Sequence, residues 1–318
     1  MPPLSILAAQ TAFIFPGQGS QVVGMGRDLA AEFHLAHRIF EQADEYLGFP
    51  LSRLAWEGPE TDLVDTINTQ PALLVHSVAV LSVFQQRCPG FQPAFVAGHS
   101  MGELSALVAC QALSYPEALK LARRRGELMK KAGEISPGGM AAVLGLDIPT
   151  LDRVCAEASQ PGETVRVAND NCPGQVVISG ARPALERAVQ LAQASGARRV
   201  RQLAVSIASH SPLMLHAQEK FAQAVELAPF SDPLLPLIGN VTAQPLYTAN
   251  EIRADLQAQL TSRVRWTETI QEMIRQDVAL FVEMGSGSVL CGLIKRINDQ
   301  VACINLSTVN DFDKLELI

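Results

Sequence analysis

A chain of 318 residues, 48 % hydrophobic and 18 % charged, buries a sizeable core as one domain with an insertion or as two domains, which excludes a disordered chain. Its formal net charge of −7 excludes a general nucleic-acid binder. No apolar run approaches the roughly 18 residues of a membrane span, and the N-terminus lacks the basic region and small-residue cleavage site of a signal peptide, so a cytoplasmic protein that binds neither nucleic acid nor membrane is expected.

The first element is the apolar run AFIF (residues 12–15), a short strand broken by Pro16, Gly17 and Gly19 into a loop. Helical stretches follow to about residue 86, including QPALLVHSVAVLSVFQQ, and then a second strand, AFVA (residues 94–97). This strand runs into Gly98-His99-Ser100-Met101-Gly102 and a helical pattern with apolar residues at Leu104, Ala106, Leu107, Ala109, Cys110 and Leu113. Strand, Gly-x-Ser-x-Gly and helix form the nucleophile-elbow order. Its glycines let the backbone turn sharply, and the helix N-terminus points free N–H groups at the serine. Ser100 is therefore the candidate nucleophile. Alternating strand and helix over the first 130 residues predict a parallel sheet covered on both faces.

PEALKLARRRGELMKKAG (residues 116–133) is helical, with an apolar stripe through Ala118, Leu121, Ala122, Leu128 and Met129. Arg125 falls inside that stripe, while Arg123 and Arg124 lie on the polar side. A charge on a buried face needs a partner or a purpose; an internal carboxylate, or the carboxylate of a ligand held bidentately, would serve. Residues 139–206 then read strand, helix, strand, strand, helix, strand, the βαββαβ order of a small ferredoxin-like subdomain. PLIGNV and VALFVEMG are further strands of the large domain, and LCGLIKRIN is its last helix.

A nucleophilic serine needs a base. Among His34, His37, His76, His99, His210 and His216, His210 stands where the chain leaves the insert and re-enters the main sheet, a loop position suited to a cleft. His99 adjoins the serine but points elsewhere at a sharp elbow, so packing or a supporting hydrogen bond is its expected role. His76 reads as a core histidine. His34 and His37 lie three apart on a helix without nearby acidic or thiol partners, so no metal site is expected. The six cysteines, Cys88, Cys110, Cys155, Cys172, Cys291 and Cys303, form no C-x-x-C pair and are expected as free thiols.

FPGQGSQ, GHSMGE, RRRGELM, NDNCPGQVVISG, SIASHSPLM, QLTSRVRWTETI and FVEMGSGSVLCGLIKRI occur in that order. Together they resemble the malonyl-CoA:acyl carrier protein transacylase family, over residues 11 to 306. The resemblance implies an α/β-hydrolase-like large domain (residues 1–138 and 207–318), a ferredoxin-like insert (139–206) and a site between them. It implies Ser100 as nucleophile and His210 as base, the histidine oriented by the main-chain carbonyl of Gln259. It further implies an oxyanion hole from the backbone N–H groups of Gln18 and Met101, Arg125 on the malonyl carboxylate, and Gln70 lining the gorge. The partners implied are malonyl-CoA and an acyl carrier protein, with no metal or bound cofactor, and a monomer is expected.

The sequence departs from the family pattern at MGSG (residues 284–287), a turn that shapes the sheet end. Ser209, before the histidine, stands where polyketide acyltransferases separate malonyl from methylmalonyl, and malonyl is the expected acyl group. Lys295 with Arg296, or Arg198, Arg199 and Arg201, are the candidate docking patches for an acidic carrier protein. The rival readings are a serine esterase or thioesterase, a polyketide acyltransferase of other selectivity, and a non-catalytic docking module.

Overall fold

The computed structural model describes residues 4–317. The expectation of no leader sequence bears in part on residues 1–3, outside the described residues.

Among the described residues, ten strands form two sheets: β1 (Thr11–Phe15), β2 (Phe95–Gly98), β3 (Gly138–Leu144), β4 (Val165–Cys172), β5 (Gln175–Ala181), β6 (Arg199–Gln202), β7 (Leu237–Ile238), β8 (Pro245–Leu246), β9 (Leu280–Met284) and β10 (Ala302–Leu306). The larger sheet has the order β10-β9-β1-β2-β7-β8 and is parallel except at its β8 edge. β1 is buried at every position because both sheet faces are covered. Phe13 and Phe15 enter one core cluster, Ala12 and Ile14 the other. The carboxyl ends of β1, β2, β7 and β9 meet along one rim, where ligands bind in open parallel sheets.

The smaller sheet, β4-β5-β3-β6, is antiparallel. Two helices, Ile148–Ala158 and Arg182–Ala194, bury their apolar stripes against it around Val143, Leu151, Ile178 and Leu185. β4 reaches the larger unit through the main chain: Asp170 N–H donates to the Val264 carbonyl at 2.9 Å, and Val264 N–H to that of Ala168 at 2.8 Å.

Two long helices back the serine. Thr66–Arg87 is long and apolar enough, by length and composition, to cross a membrane, which corrects the expectation that no such run exists; 83 % of that window is buried within the fold. It carries Pro71, whose missing N–H leaves the Ile67 carbonyl four residues earlier without its helical donor. Arg123 Nη1 fills that place at 3.2 Å. Arg123 belongs to the second long helix, Tyr115–Ile135.

Several expectations change in three dimensions. The helix after the elbow ends at Ala109, not Leu113, because the chain turns at Gln111 with φ +59°. β10 follows the helix Val289–Ile297 that reads as the last element. Cys291 and Cys303 are disulfide-bonded rather than free, because the helix Val289–Ile297, which carries Cys291, packs against β10 and brings their Cα atoms to 5.4 Å. His37 has an acidic partner, Glu41 one turn later at 3.2 Å, in an exposed contact.

Candidate active site

β2 ends at Gly98, the helix Gly102–Ala109 begins four residues on, and Ser100 sits between them at φ +53°. Left-handed backbone at a non-glycine residue costs on the order of 1–3 kcal/mol and persists only where its surroundings enforce it. Here they do. A Cβ on Gly98 would lie 2.0 Å from the Gly102 carbonyl carbon, and one on Gly102 would lie 2.2 Å from the Phe15 carbonyl oxygen. Backbones of β1, β2 and the helix thus touch without side chains between them. Ser100 N–H donates to Asn240 Oδ1 at 2.8 Å, and the Ser100 carbonyl accepts from Gln259 Nε2 at 3.1 Å and from Glu103 N–H at 3.1 Å.

His210 lies 110 residues further along the chain, yet its Nε2 stands 2.8 Å from Ser100 Oγ. Nδ1 is 3.0 Å from two carbonyl oxygens, those of Gln259 and Ser262. A carbonyl only accepts, so Nδ1 carries the proton and Nε2 is free to take one from the serine. Gln259 ends the helix Ala249–Gln259, so the negative end of its dipole faces the ring. Among the described residues, no carboxylate is hydrogen-bonded to the imidazole. Burial, and next the charge of Arg125, lower the His210 pKa to about 3, so the ring is neutral at physiological pH.

Arg125 is 2 % exposed, on the buried face of its helix. Nη1 donates to Gln70 Oε1 at 2.9 Å, and Nη2 to Gln259 Oε1 at 2.9 Å and to Ser100 Oγ at 3.0 Å. No carboxylate pairs with it among the described residues; Nε has no partner. Burial lowers its pKa to about 10, opposed by Glu103, which leaves it cationic at neutral pH. A positive charge therefore stands beside the hydroxyl with no protein anion hydrogen-bonded to it, a configuration suited to an anionic ligand.

Gln70 also donates to Thr66 Oγ1 at 2.9 Å, and Thr66 Oγ1 donates to Gln18 Oε1 at 2.9 Å. The relay ties the loop after β1 to the arginine. A Cβ on Gly17 would lie 2.4 Å from the His99 carbonyl oxygen, so that loop rests directly on the elbow. Met101 is buried at the helix N-terminus, where an N–H has no intrahelical acceptor.

Ser100, His210, Arg125, Gln70 and Gln259 thus form one hydrogen-bonded cluster, with Gln18 and Met101 in the segments packed against it. The other histidines lie elsewhere. His99 bonds Asn171 Oδ1 at 2.8 Å and meets the Trp266 ring edge-on. His76 is buried 2.9 Å from the Ser307 carbonyl oxygen, and His216 is exposed. Asn240, Glu103 and the Ser262 carbonyl were not singled out by sequence reasoning. Asn240 had a signal, as a polar residue at the carboxyl end of a parallel strand on the rim that carries Ser100, and Glu103 had one as the last residue of GHSMGE.

A neutral base on a serine hydroxyl, beside a fixed cation, is chemistry for taking up and passing on an acyl group, the province of serine enzymes built on parallel α/β sheets. Comparison with known proteins narrows the class: the chain belongs to the family described as the acyl transferase domain, whose model matches residues 12–310. It is 43 % identical over 309 residues to the malonyl CoA-acyl carrier protein transacylase of Bacillus subtilis, covering 97 % of this chain and 96 % of that protein. It is 42 % identical over 298 residues to the enzyme of the same name from Escherichia coli K12, covering 94 % and 96 %. Among solved structures, an acyl carrier protein S-malonyltransferase from Vibrio cholerae superposes with a TM-score of 0.93 at 42 % identity, covering 96 % of this chain and 99 % of that one. A malonyl-transacylase in complex with its type II polyketide synthase acyl-carrier protein superposes with a TM-score of 0.94 at 41 % identity, covering 97 % and 100 %.

Proposed function

We propose that this protein moves a malonyl group from coenzyme A to the phosphopantetheine thiol of an acyl carrier protein, as a monomeric cytoplasmic enzyme without a bound cofactor. The observation that carries the reading is Arg125: a buried cation without a carboxylate partner, 3.0 Å from Ser100 Oγ. A dicarboxylic acyl group brings the missing anion; a neutral acyl ester does not, which weighs against an esterase.

His210 Nε2 takes the Ser100 proton as Oγ attacks the thioester carbonyl carbon. The oxyanion rests on the N–H groups of Met101 and Gln18. The intermediate collapses, the carbon–sulfur bond breaks, and the coenzyme A sulfur leaves with the proton from His210. The carrier thiol then gives its proton to His210 and attacks the acyl-serine, and Ser100 Oγ recovers the proton. Arg125 holds the malonyl carboxylate throughout, and Gln70 sets the guanidinium plane.

The same reading divides the chain into an α/β-hydrolase-like domain (residues 1–138 and 207–318) and a ferredoxin-like insert (139–206). The β4-β5-β3-β6 order with two helices supports the insert. The Gly-x-Ser-x-Gly turn after a parallel strand supports the larger domain.

Incubation with labelled malonyl-CoA tests the proposal. One equivalent of label is expected on the peptide containing Ser100, chased onto holo carrier protein when that is added. Steady release of free malonate in its presence, or label on another residue, contradicts it.

A further inference from the structure

Glu103 and Asp255 are buried carboxyl groups beneath the site, 0 % and 4 % exposed, and the acyl-transfer steps use neither. Glu103 Oε2 accepts two hydrogen bonds, from Asn240 Nδ2 at 2.5 Å and Gln259 Nε2 at 2.6 Å. Each amide spends its second N–H on the elbow: Asn240 on the Gly98 carbonyl at 2.7 Å, Gln259 on that of Ser100 at 3.1 Å. With both N–H groups committed, each amide oxygen must face the other way. Asn240 Oδ1 meets Ser100 N–H at 2.8 Å, and Gln259 Oε1 meets Arg125 Nη2 at 2.9 Å. Those last two groups can only donate. A flipped amide would set donor against donor at both.

We propose that Glu103 is a positioning residue for acyl transfer: its Oε2 orients two carboxamides in opposite senses, one holding the strained Ser100 backbone and the other holding the Arg125 guanidinium. The inference rests on the acyl-transfer reading above. Its distinguishing feature is that an acceptor oxygen is required and a charge is not. Burial and the neighbouring Asp255 push the Glu103 carboxyl well above the usual carboxylate range. Asp255, one turn before Gln259, accepts Val241 N–H at 3.2 Å and so fixes the segment that presents Asn240.

The two arms predict separable losses. Asn240→Leu frees Ser100 N–H and removes a donor from the Gly98 carbonyl and from Glu103 Oε2 while leaving the Arg125 partners in place, so kcat falls about 10- to 100-fold for malonyl and acetyl transfer alike, the range for a buried group left unpaired. Gln259→Met keeps the backbone carbonyl on His210, and the Ser100 carbonyl keeps its bond from Glu103 N–H, but Arg125 loses a partner. The malonyl-to-acetyl ratio of kcat/KM then falls about 10-fold, with acetyl transfer the less affected. Glu103→Met matches the length without an acceptor and shows both losses. Glu103→Gln restores an oxygen at the same place and recovers the rate to within about threefold of the parent.

The experiment is steady-state transfer of malonyl and acetyl groups from coenzyme A to holo carrier protein by these four variants, with circular dichroism to verify folding. Parent rates in a folded Glu103→Met, or a Glu103→Gln as slow as Glu103→Met, overturn the proposal. Should Glu103→Met not fold, the arms decide: Asn240→Leu at the parent kcat together with Gln259→Met at the parent ratio also overturns it. A parent protein that transfers malonyl while these patterns fail leaves the function standing and removes the inference; a parent that forms no acyl-enzyme removes the function itself.

Discussion

Replacing Arg125 with alanine separates substrate reading from structural support. In the parent the guanidinium spans Gln70, Gln259 and Ser100 Oγ and is 2 % exposed, so a carboxylate bound to it is withdrawn from water. Without the arginine, a malonyl carboxylate entering the same place is desolvated and unpaired, a loss on the order of 2–5 kcal/mol. At about 1.4 kcal/mol per decade this is roughly a 30-fold to several-thousand-fold fall in kcat/KM for malonyl-CoA. Acetyl-CoA brings no carboxylate. Its cost is limited to the two amide oxygens and the Ser100 Oγ that lose a donor, so its rate falls little, or rises as the buried charge disappears. The assay is kcat/KM for both thioesters at saturating holo carrier protein, parent against Arg125→Ala. A steep fall in the malonyl-to-acetyl ratio with acetyl transfer retained is the expected result. Equal losses for both would refute the reasoning and reduce Arg125 to a structural arginine.

Ser100→Ala is expected to abolish covalent labelling by malonyl-CoA, and label persisting on the variant, or mapped to Ser20 or Ser105, would remove the nucleophile assignment. His210→Ala is expected to slow acylation by about 10² to 10⁴ with the fold retained; a larger loss in folded His99→Ala would point to the wrong ring. With the His210 pKa lowered to about 3 by burial and Arg125, kcat/KM for malonyl-CoA should show no His210 ionisation near pH 6.5, and an acid limb there that His210 carries would contradict the lowered pKa. Buried His76 and His210, lowered to about 4 and about 3, refuse protons that the unfolded chain accepts below pH 6.5, so their contribution to the unfolding free energy should fall as pH drops from 6.5 toward 4, against the opposite contribution of the Glu103 and Glu283 carboxyls that burial raises. Denatured but unreduced protein should titrate as four thiols, and as six after reduction, with six at the outset counting against the Cys291–Cys303 bond.

Local pattern determined a large part of this protein. Short apolar runs marked β1 and β2, and the turn between glycines marked Ser100, because strand, turn and helix preferences act over a few residues. Arg125 was legible for the same reason: a 3.6-residue repeat places it among Ala118, Leu121 and Ala122, and burial follows from that face. The alternation of residues 139–206 likewise preceded the antiparallel β4-β5-β3-β6 sheet. What lay beyond local pattern was partnership at long range. Only closure of the parallel sheet brings His210 to Ser100 from 110 residues away, and Asn240 to Glu103 from 137. Asparagine and glutamate have no periodic signature, since a buried amide is stable wherever complementary donors and acceptors meet. β8 and β10 escaped notice because two or five residues at a sheet edge carry too little alternation to read. Cys291 and Cys303, 12 residues apart in no recognisable spacing, pair because the helix Val289–Ile297 lies against β10. Residue types and local turns reside in the sequence, whereas the orientation of two amides on one carboxyl oxygen exists only once the strand ends converge.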